Sequence, residues 1–206
     1  MELLTYTCGP LQNQTYLLID EQTAVMFDAP MESFHLISEI LDKKGLTLKA
    51  IILTHTHFDH ILDLYKFEKK YNVKIYVHPN DEYRLKNPNE HIPAGLPLKI
   101  ESVQSTEHLH SHQILEINNM KFKILHTPGH TEGSICIEII GEKKIITGDT
   151  LFKLSIGRTD FPGGNFDQLI SSIKNELLTY DDDYEIYPGH GPKSSIGFER
   201  AHNQFL

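Results

Sequence analysis

Residues 54–63 read THTHFDHILD and place three histidines and one aspartate, His55, His57, Asp59 and His60, within six positions. The stretch follows the apolar run LKAIIL (residues 48–53) directly, so its ligating side chains stand at the end of what the pattern predicts to be a buried strand. Three other apolar runs end in the same way. KFKIL (121–125) leads into HTPGHT, KKIIT (143–147) into GDT, and YEIY (184–187) into PGHG. Loops at strand ends along one edge of a sheet converge on one another. Glycines at 129, 148, 189 and 191 let the backbone turn sharply there. The expected pocket is lined by His55, His57, Asp59, His60, His130, Asp149 and His190.

The surrounding pattern predicts the scaffold. LLTYT, TYLLI and AVMFDA read as opening strands, the last ending at Asp28. From Ser33, read as an N-cap, Leu36, Ile37, Ile40 and Leu41 repeat at helical spacing until Gly45. Ile61 to Phe67 predicts a helix beginning just after the quoted stretch, followed by the strand VKIYV and a short helix after Pro79. Residues 87–112 are polar and irregular and read as a surface excursion. QILEI and KFKIL flank NNM like a hairpin, and SICIEII and KKIITGD follow with GEKK as their turn. A helix over 165–178, the strand YEIY and a closing helix over 195–204 complete a layered α/β arrangement.

With 206 residues, 39% of them hydrophobic, the chain is expected to form one domain around one core. Its formal net charge of −9 argues against a nucleic-acid backbone or an anionic membrane as main partner. The N-terminus MELLTYTCGP has neither the basic flank nor the apolar core of a secretion signal, so a cytoplasmic protein is expected. Two cysteines make no disulfide framework, and Cys136 within SICIEII reads as a buried, inert thiol.

Imidazole and carboxylate donors without thiolate suit zinc, iron or manganese, and seven such groups exceed the four that one tetrahedral ion takes. HTHFDH resembles the H-x-H-x-D-H signature of the metallo-β-lactamase fold superfamily, and the remaining candidates fall in that family's order along the chain. The resemblance implies an αββα four-layer sandwich with the metals at one edge of the sheets, spanning residues 1–206 as a single domain. It further implies one ion on His55, His57 and His130, a second on Asp59, His60 and His190, and Asp149 bridging them. Two zinc ions are the expected cofactors, with iron or manganese as alternatives. A hydroxide between the ions would attack a carbonyl, oriented by Asp59 as the catalytic carboxylate.

GDTLFKLSIGRTDFPGG (148–164) is similar to single-domain glyoxalase II-like proteins, relatives of hydroxyacylglutathione hydrolase. A small-molecule thioester such as S-lactoylglutathione is therefore the expected substrate, because a thiolate leaves without a proton donor. Glyoxalase II enzymes carry a C-terminal helical domain that supplies much of the glutathione site, whereas sixteen residues follow His190 here. Weak dependence on the glutathione part is expected. GRTDF also resembles the persulfide dioxygenases, which use one iron on the residues matching His55, His130 and Asp149. A third reading makes the metal purely structural, against which the complete ligand set counts.

Arg158 and Asp160 read as a pair supporting the pocket, with Arg158 also the one candidate for substrate contact. Phe152 and Phe161 read as core. His126 and the group His108, His110 and His112 read as ordinary histidines, and Thr56, Thr127 and Thr131 as local hydrogen-bond donors.

Overall fold

Apolar runs bounded by turn residues become strands in two six-stranded sheets. The computed structural model describes residues 1–103 and 106–206. The chain divides into two units, Met1–His108 and Leu109–Leu206.

The first unit opens with β1 (Glu2–Cys8), β2 (Asn13–Asp20) and β3 (Thr23–Phe27), joined antiparallel. Helix α1 (Ser33–Lys44) then crosses to β4 (Thr47–Ile52), which lies parallel to β3. Two short helices follow, α2 (Phe58–Ile61) and α3 (Leu64–Tyr71), and then β5 (Lys74–Val77), parallel to β4. After α4 (Glu82–Lys86) the chain returns as β6 (Thr106–His108), parallel to β5. Ile37 and Leu41 of α1 and Phe67 of α3 pack with Met26 and Ile51 of the sheet in one cluster. Burying each such side chain contributes roughly 1.5–3 kcal/mol.

Several boundaries differ from the expected ones. Ser33 is the first residue of α1 rather than its cap; Glu32 takes the cap position with φ 70°, and the Ser33 hydroxyl donates to the Pro30 carbonyl at 2.6 Å. The helix after β4 begins inside the histidine motif, at Phe58, and not after it. Residues 87–112 are more than a surface excursion, since they contribute β6 and bury Ile100, Val103 and Leu109. Gln104 and Ser105 of that stretch lie outside the described residues.

The second unit holds β7 (Ile114–Ile117), β8 (Met120–His126), β9 (Ile135–Ile139) and β10 (Lys144–Gly148) as an antiparallel meander. A small hairpin, β11 (Leu151–Phe152) and β12 (Ser155–Ile156), precedes α5 (Phe166–Ser172), capped by the Asn165 side chain. A π-helical turn over Ile173–Leu177 extends α5. Strand β13 (Glu185–Pro188) pairs parallel to β10, β14 (Ser194–Ser195) pairs with β13, and α6 (Ile196–His202) closes the unit behind a Ser195 cap. Leu169 and Ile173 pack with Leu125, Ile145 and Ile186 beneath them.

Candidate metal centre

In the first unit, the parallel run of β3, β4 and β5 brings their C-terminal ends to one edge of the sheet, where β2 begins. His55 and His57 leave the end of β4, and Asp59 and His60 lie on α2, the one-turn helix that follows. The His55 ring centroid lies 5.0 Å from that of His57 and 4.1 Å from that of His60. Asp59 Oδ2 is 3.8 Å from His60 Nε2. His55 and His60 are no more than 1% exposed.

Asp28 organises this group. Its Oδ1 accepts from the Thr54 amide at 2.8 Å, and its Oδ2 accepts from the Thr54 hydroxyl at 2.8 Å and from His60 Nδ1 at 2.9 Å. Because the Thr54 hydroxyl donates to Asp28, its oxygen accepts from His55 Nδ1 at 3.1 Å. Both imidazoles therefore carry the proton on Nδ1 and a lone pair on Nε2, the arrangement that suits a metal ligand. Asp28 itself has φ 58°, a left-handed backbone that Asp tolerates better than most residues. Backbone bonds from Ala29 N to His60 O (2.8 Å) and from Asp63 N to Ala29 O (3.0 Å) tie α2 to the loop after β3.

Two further residues hold the motif. Asn13 Nδ2 donates to Asp59 Oδ2 at 2.9 Å, fixing one carboxylate oxygen. Asp81 Oδ2 accepts from the Thr56 amide at 3.0 Å, while the other oxygen of Asp81 accepts from Arg84 Nη1 at 2.9 Å. This buried ion pair stiffens the short link between His55 and His57.

The second unit presents His130, Asp149 and His190 after β8, β10 and β13. Strands β8 and β10 both run antiparallel to β9, and β13 runs parallel to β10, so these three strands end at the same edge. Asp149 Oδ2 stands 3.6 Å from His130 Nε2 and 3.6 Å from His190 Nε2. His130 Nδ1 donates to the Arg158 backbone carbonyl at 2.7 Å, which leaves its lone pair on Nε2 as well. Gly157 has no room for a side chain, because a Cβ there would overlap the Asp149 carbonyl. At Gly129, with φ 133°, a Cβ would overlap the backbone of Leu169.

These separations exceed hydrogen-bond length. Two ligands each about 2.0–2.1 Å from one tetrahedral ion stand about 3.4 Å apart, close to the 3.6–3.8 Å seen within each unit. Nitrogen and oxygen donors with no sulfur fit zinc, iron or manganese.

The other sequence candidates fall elsewhere. The Arg158 side chain forms a bidentate pair with Asp160, both contacts at 2.7 Å, and lies 3.8 Å over the Phe161 ring. That guanidinium holds the exposed Asp160 carboxyl down at about 2. Phe152 and Phe161 are only half-buried, so neither belongs to the core as expected; the Phe152 ring stands edge-on to His190 at 6.3 Å. His126 bonds the Glu132 carbonyl at 3.0 Å. In the first unit His108 lies 3.3 Å from Glu82, and in the second His112 lies 3.7 Å from Glu176. Thr127 bonds Thr150 at 3.1 Å and Cys136 at 3.3 Å. Burial raises the Cys136 thiol to about 11. Asp28, Asn13, Asp81 and Arg84 were not among the expected site residues. Asp28 satisfied the same test as the others, a carboxylate directly after an apolar strand, in AVMFDAP.

Known proteins resemble the chain in sequence and in fold. The hydroxyacylglutathione hydrolase GloC of Haemophilus influenzae is 37% identical, over 95% of this chain and 92% of its own. The structure of the B3 metallo-beta-lactamase BLEG-1 superposes with a TM-score of 0.91 at 35% identity, covering 100% of this chain and 99% of that one. A di-iron-bound structure of TTHA1623 gives 0.88 at 30% identity, covering 98% and 100%. Residues 8–190 match the family model of the metallo-beta-lactamase superfamily, and the chain belongs to that superfamily, whose members bind metal ions.

Proposed function

We propose that the protein is a dinuclear metal-dependent thioester hydrolase of the hydroxyacylglutathione hydrolase type, working in the cytoplasm as a single functional domain on small thioesters such as S-lactoylglutathione. His55, His57 and His130 would hold one ion, Asp59, His60 and His190 the other, and Asp149 both. Zinc is the assigned metal, with iron and manganese compatible with the same donors. The observation that carries this reading is the network built around Asp59 and His60. Asn13 fixes the first and Asp28 the second. A single iron on His55, His130 and Asp149, as a persulfide dioxygenase uses, would draw on Asp28 only through Thr54 and His55, and gives no role to the Asn13–Asp59 contact or to the His60 ring. The relative GloC supports the thioester assignment.

When bound, a pair of divalent ions supplies a water deprotonated near neutral pH and positive charge for an oxyanion. The protein's residues do the rest. Asn13 donates to Asp59 Oδ2 and fixes that carboxylate, which would orient the attacking hydroxide toward the carbonyl. Asp28 keeps the His60 proton on Nδ1, so the ring serves as a neutral ligand. The leaving thiol ionises near pH 8.5, about seven units below water, and needs no acid from the protein. Among the described residues no helix is long and apolar enough to cross a membrane, and the partner in this reading is a small molecule.

Metal-loaded protein incubated with S-lactoylglutathione should release free thiol without consuming oxygen. Oxygen uptake with glutathione persulfide, in a preparation that leaves the thioester intact, would replace this assignment with the mononuclear dioxygenase.

A further inference from the structure

The first unit contains a cavity of about 170 Å³ beside Asp59. Its walls are Leu11, Met31, Phe58, Leu62, Leu96 and Leu98, and its polar edge is the bonded pair Asn13 and Asp59. We propose that this cavity receives an apolar substituent on the acyl group of the substrate, making the protein selective for thioesters of branched aliphatic or aryl-substituted acids. The proposal rests on the thioester reading given above.

Three observations support it. Phe58 and Asp59 are consecutive residues of α2, so the one-turn helix that presents the metal-ligating carboxylate also supplies part of the apolar wall. A carbonyl held at Asp59 thus has its substituent within reach of the cavity. Size gives the second. A cavity of about 150 Å³ lined by aliphatic and aromatic side chains holds a benzene ring, so this one suits a group of about six carbon atoms.

The third observation is how the wall is built. Leu11 and Leu96 are 51% and 44% exposed, an apolar rim that costs water contact unless something covers it. The segment bearing Leu96, Pro97 and Leu98 is anchored rather than loose. Asn89 bonds both the carbonyl and the amide of Ile100, at 2.8 and 2.9 Å, and Val103 N donates to Leu85 O at 3.1 Å. Opposite it, the turn after β1 closes through Gln12 N to Gly9 O at 3.1 Å. Among the described residues no lysine or arginine lines the cavity, which disfavours the charged glutathione moiety as occupant. The acyl side of the thioester is the part that fits.

The test holds the thiol constant as glutathione and varies the acyl group through acetyl, lactoyl, isovaleryl and phenylacetyl. Three additional buried carbons should raise kcat/KM for isovaleryl over acetyl by on the order of fiftyfold, with lactoyl falling below isovaleryl. In Leu96→Glu and Leu62→Phe, which charge the rim and fill the cavity, the isovaleryl-to-acetyl ratio should fall to within about threefold of unity. Binding is read separately on the metal-free protein with phenylacetamide, a neutral probe. Its addition should shift the Met31 methyl resonance and leave Met120 in place, and Leu62→Phe should abolish that shift. Equal kcat/KM across the acyl series, or a Met120 shift as large as that of Met31, overturns the proposal. If none of the four thioesters reacts while the Met31 shift persists, the cavity stands and the thioester reading falls.

Discussion

The two clusters of candidate ligands, one in each unit, reach similar spacings by different means. In the first unit four candidate ligands lie within six positions, and side chains hold the stretch: Asp28 bonds His60 and Thr54, Asp81 bonds Thr56, and Asn13 bonds Asp59. In the second, three candidate ligands come from loops spread over residues 130–190, and main chain holds His130 and packs against Asp149. His130 leans on the Arg158 carbonyl, and Asp149 passes against a residue that must be glycine. Exposure differs too, since the His60 side chain is fully buried and that of His190 is 30% exposed. A contiguous motif needs dedicated side-chain partners to orient rings that share one short link. Dispersed ligands take their orientation from the sheet that carries the loops.

That contrast predicts unequal sensitivity to substitution. The largest effect is expected for Asp28→Ala, which strands two Thr54 donors and His60 Nδ1 in a buried place. Metal-free protein should lose about 3 kcal/mol of unfolding free energy, and metal affinity should drop about 10–100-fold. Urea unfolding and metal titration measure these. Gly157→Ala should come next, since its Cβ must displace the Asp149 carbonyl; a loss of about 1–3 kcal/mol is expected, with weaker metal retention. A stability change near zero at Gly157 would show that the backbone at Asp149 gives way to a Cβ. Arg158→Ala should do least. It removes a salt bridge whose side chains are 54% and 66% exposed while keeping the carbonyl that holds His130, so stability should change by less than about 1 kcal/mol. A large loss of metal in this variant would mean that the side chain, and not the backbone, orients the ring.

The same contrast explains what could be read from the sequence. His55, His57, Asp59 and His60 announce themselves because their spacing is local, and His130, Asp149 and His190 because each follows an apolar run beside glycine. Most strands were legible for the same reason: alternation and turn residues are short-range signals. Asp28 carried the signal but lies thirty-two residues from its partner His60, and no local pattern links the two. Asn13 and Asp81 are likewise set by strand order, which brings the start of β2 and the loop after β5 to the edge where β4 ends. β6 was unreadable because its three residues gain strand geometry only by pairing with β5. Ser33 was misplaced because its hydroxyl bonds a carbonyl, not a free helix amide. Residue type alone points Phe152 and Phe161 to the core, but Phe152 lies on the small β11–β12 hairpin and Phe161 in the segment after it, where both stay half-buried.

In the proposed function, His55, His57, Asp59, His60, His130, Asp149 and His190 hold two metal ions. Metal content per chain, measured after purification without chelator on the wild type, His60→Ala and Asp149→Ala alongside thioester hydrolysis, tests it most directly. Close to two ions are expected in the wild type, near one in His60→Ala with turnover down on the order of a hundredfold, and loss of most of both in Asp149→Ala. A fully active wild type without metal, or a His60→Ala protein that keeps both its metal content and its turnover, would contradict it.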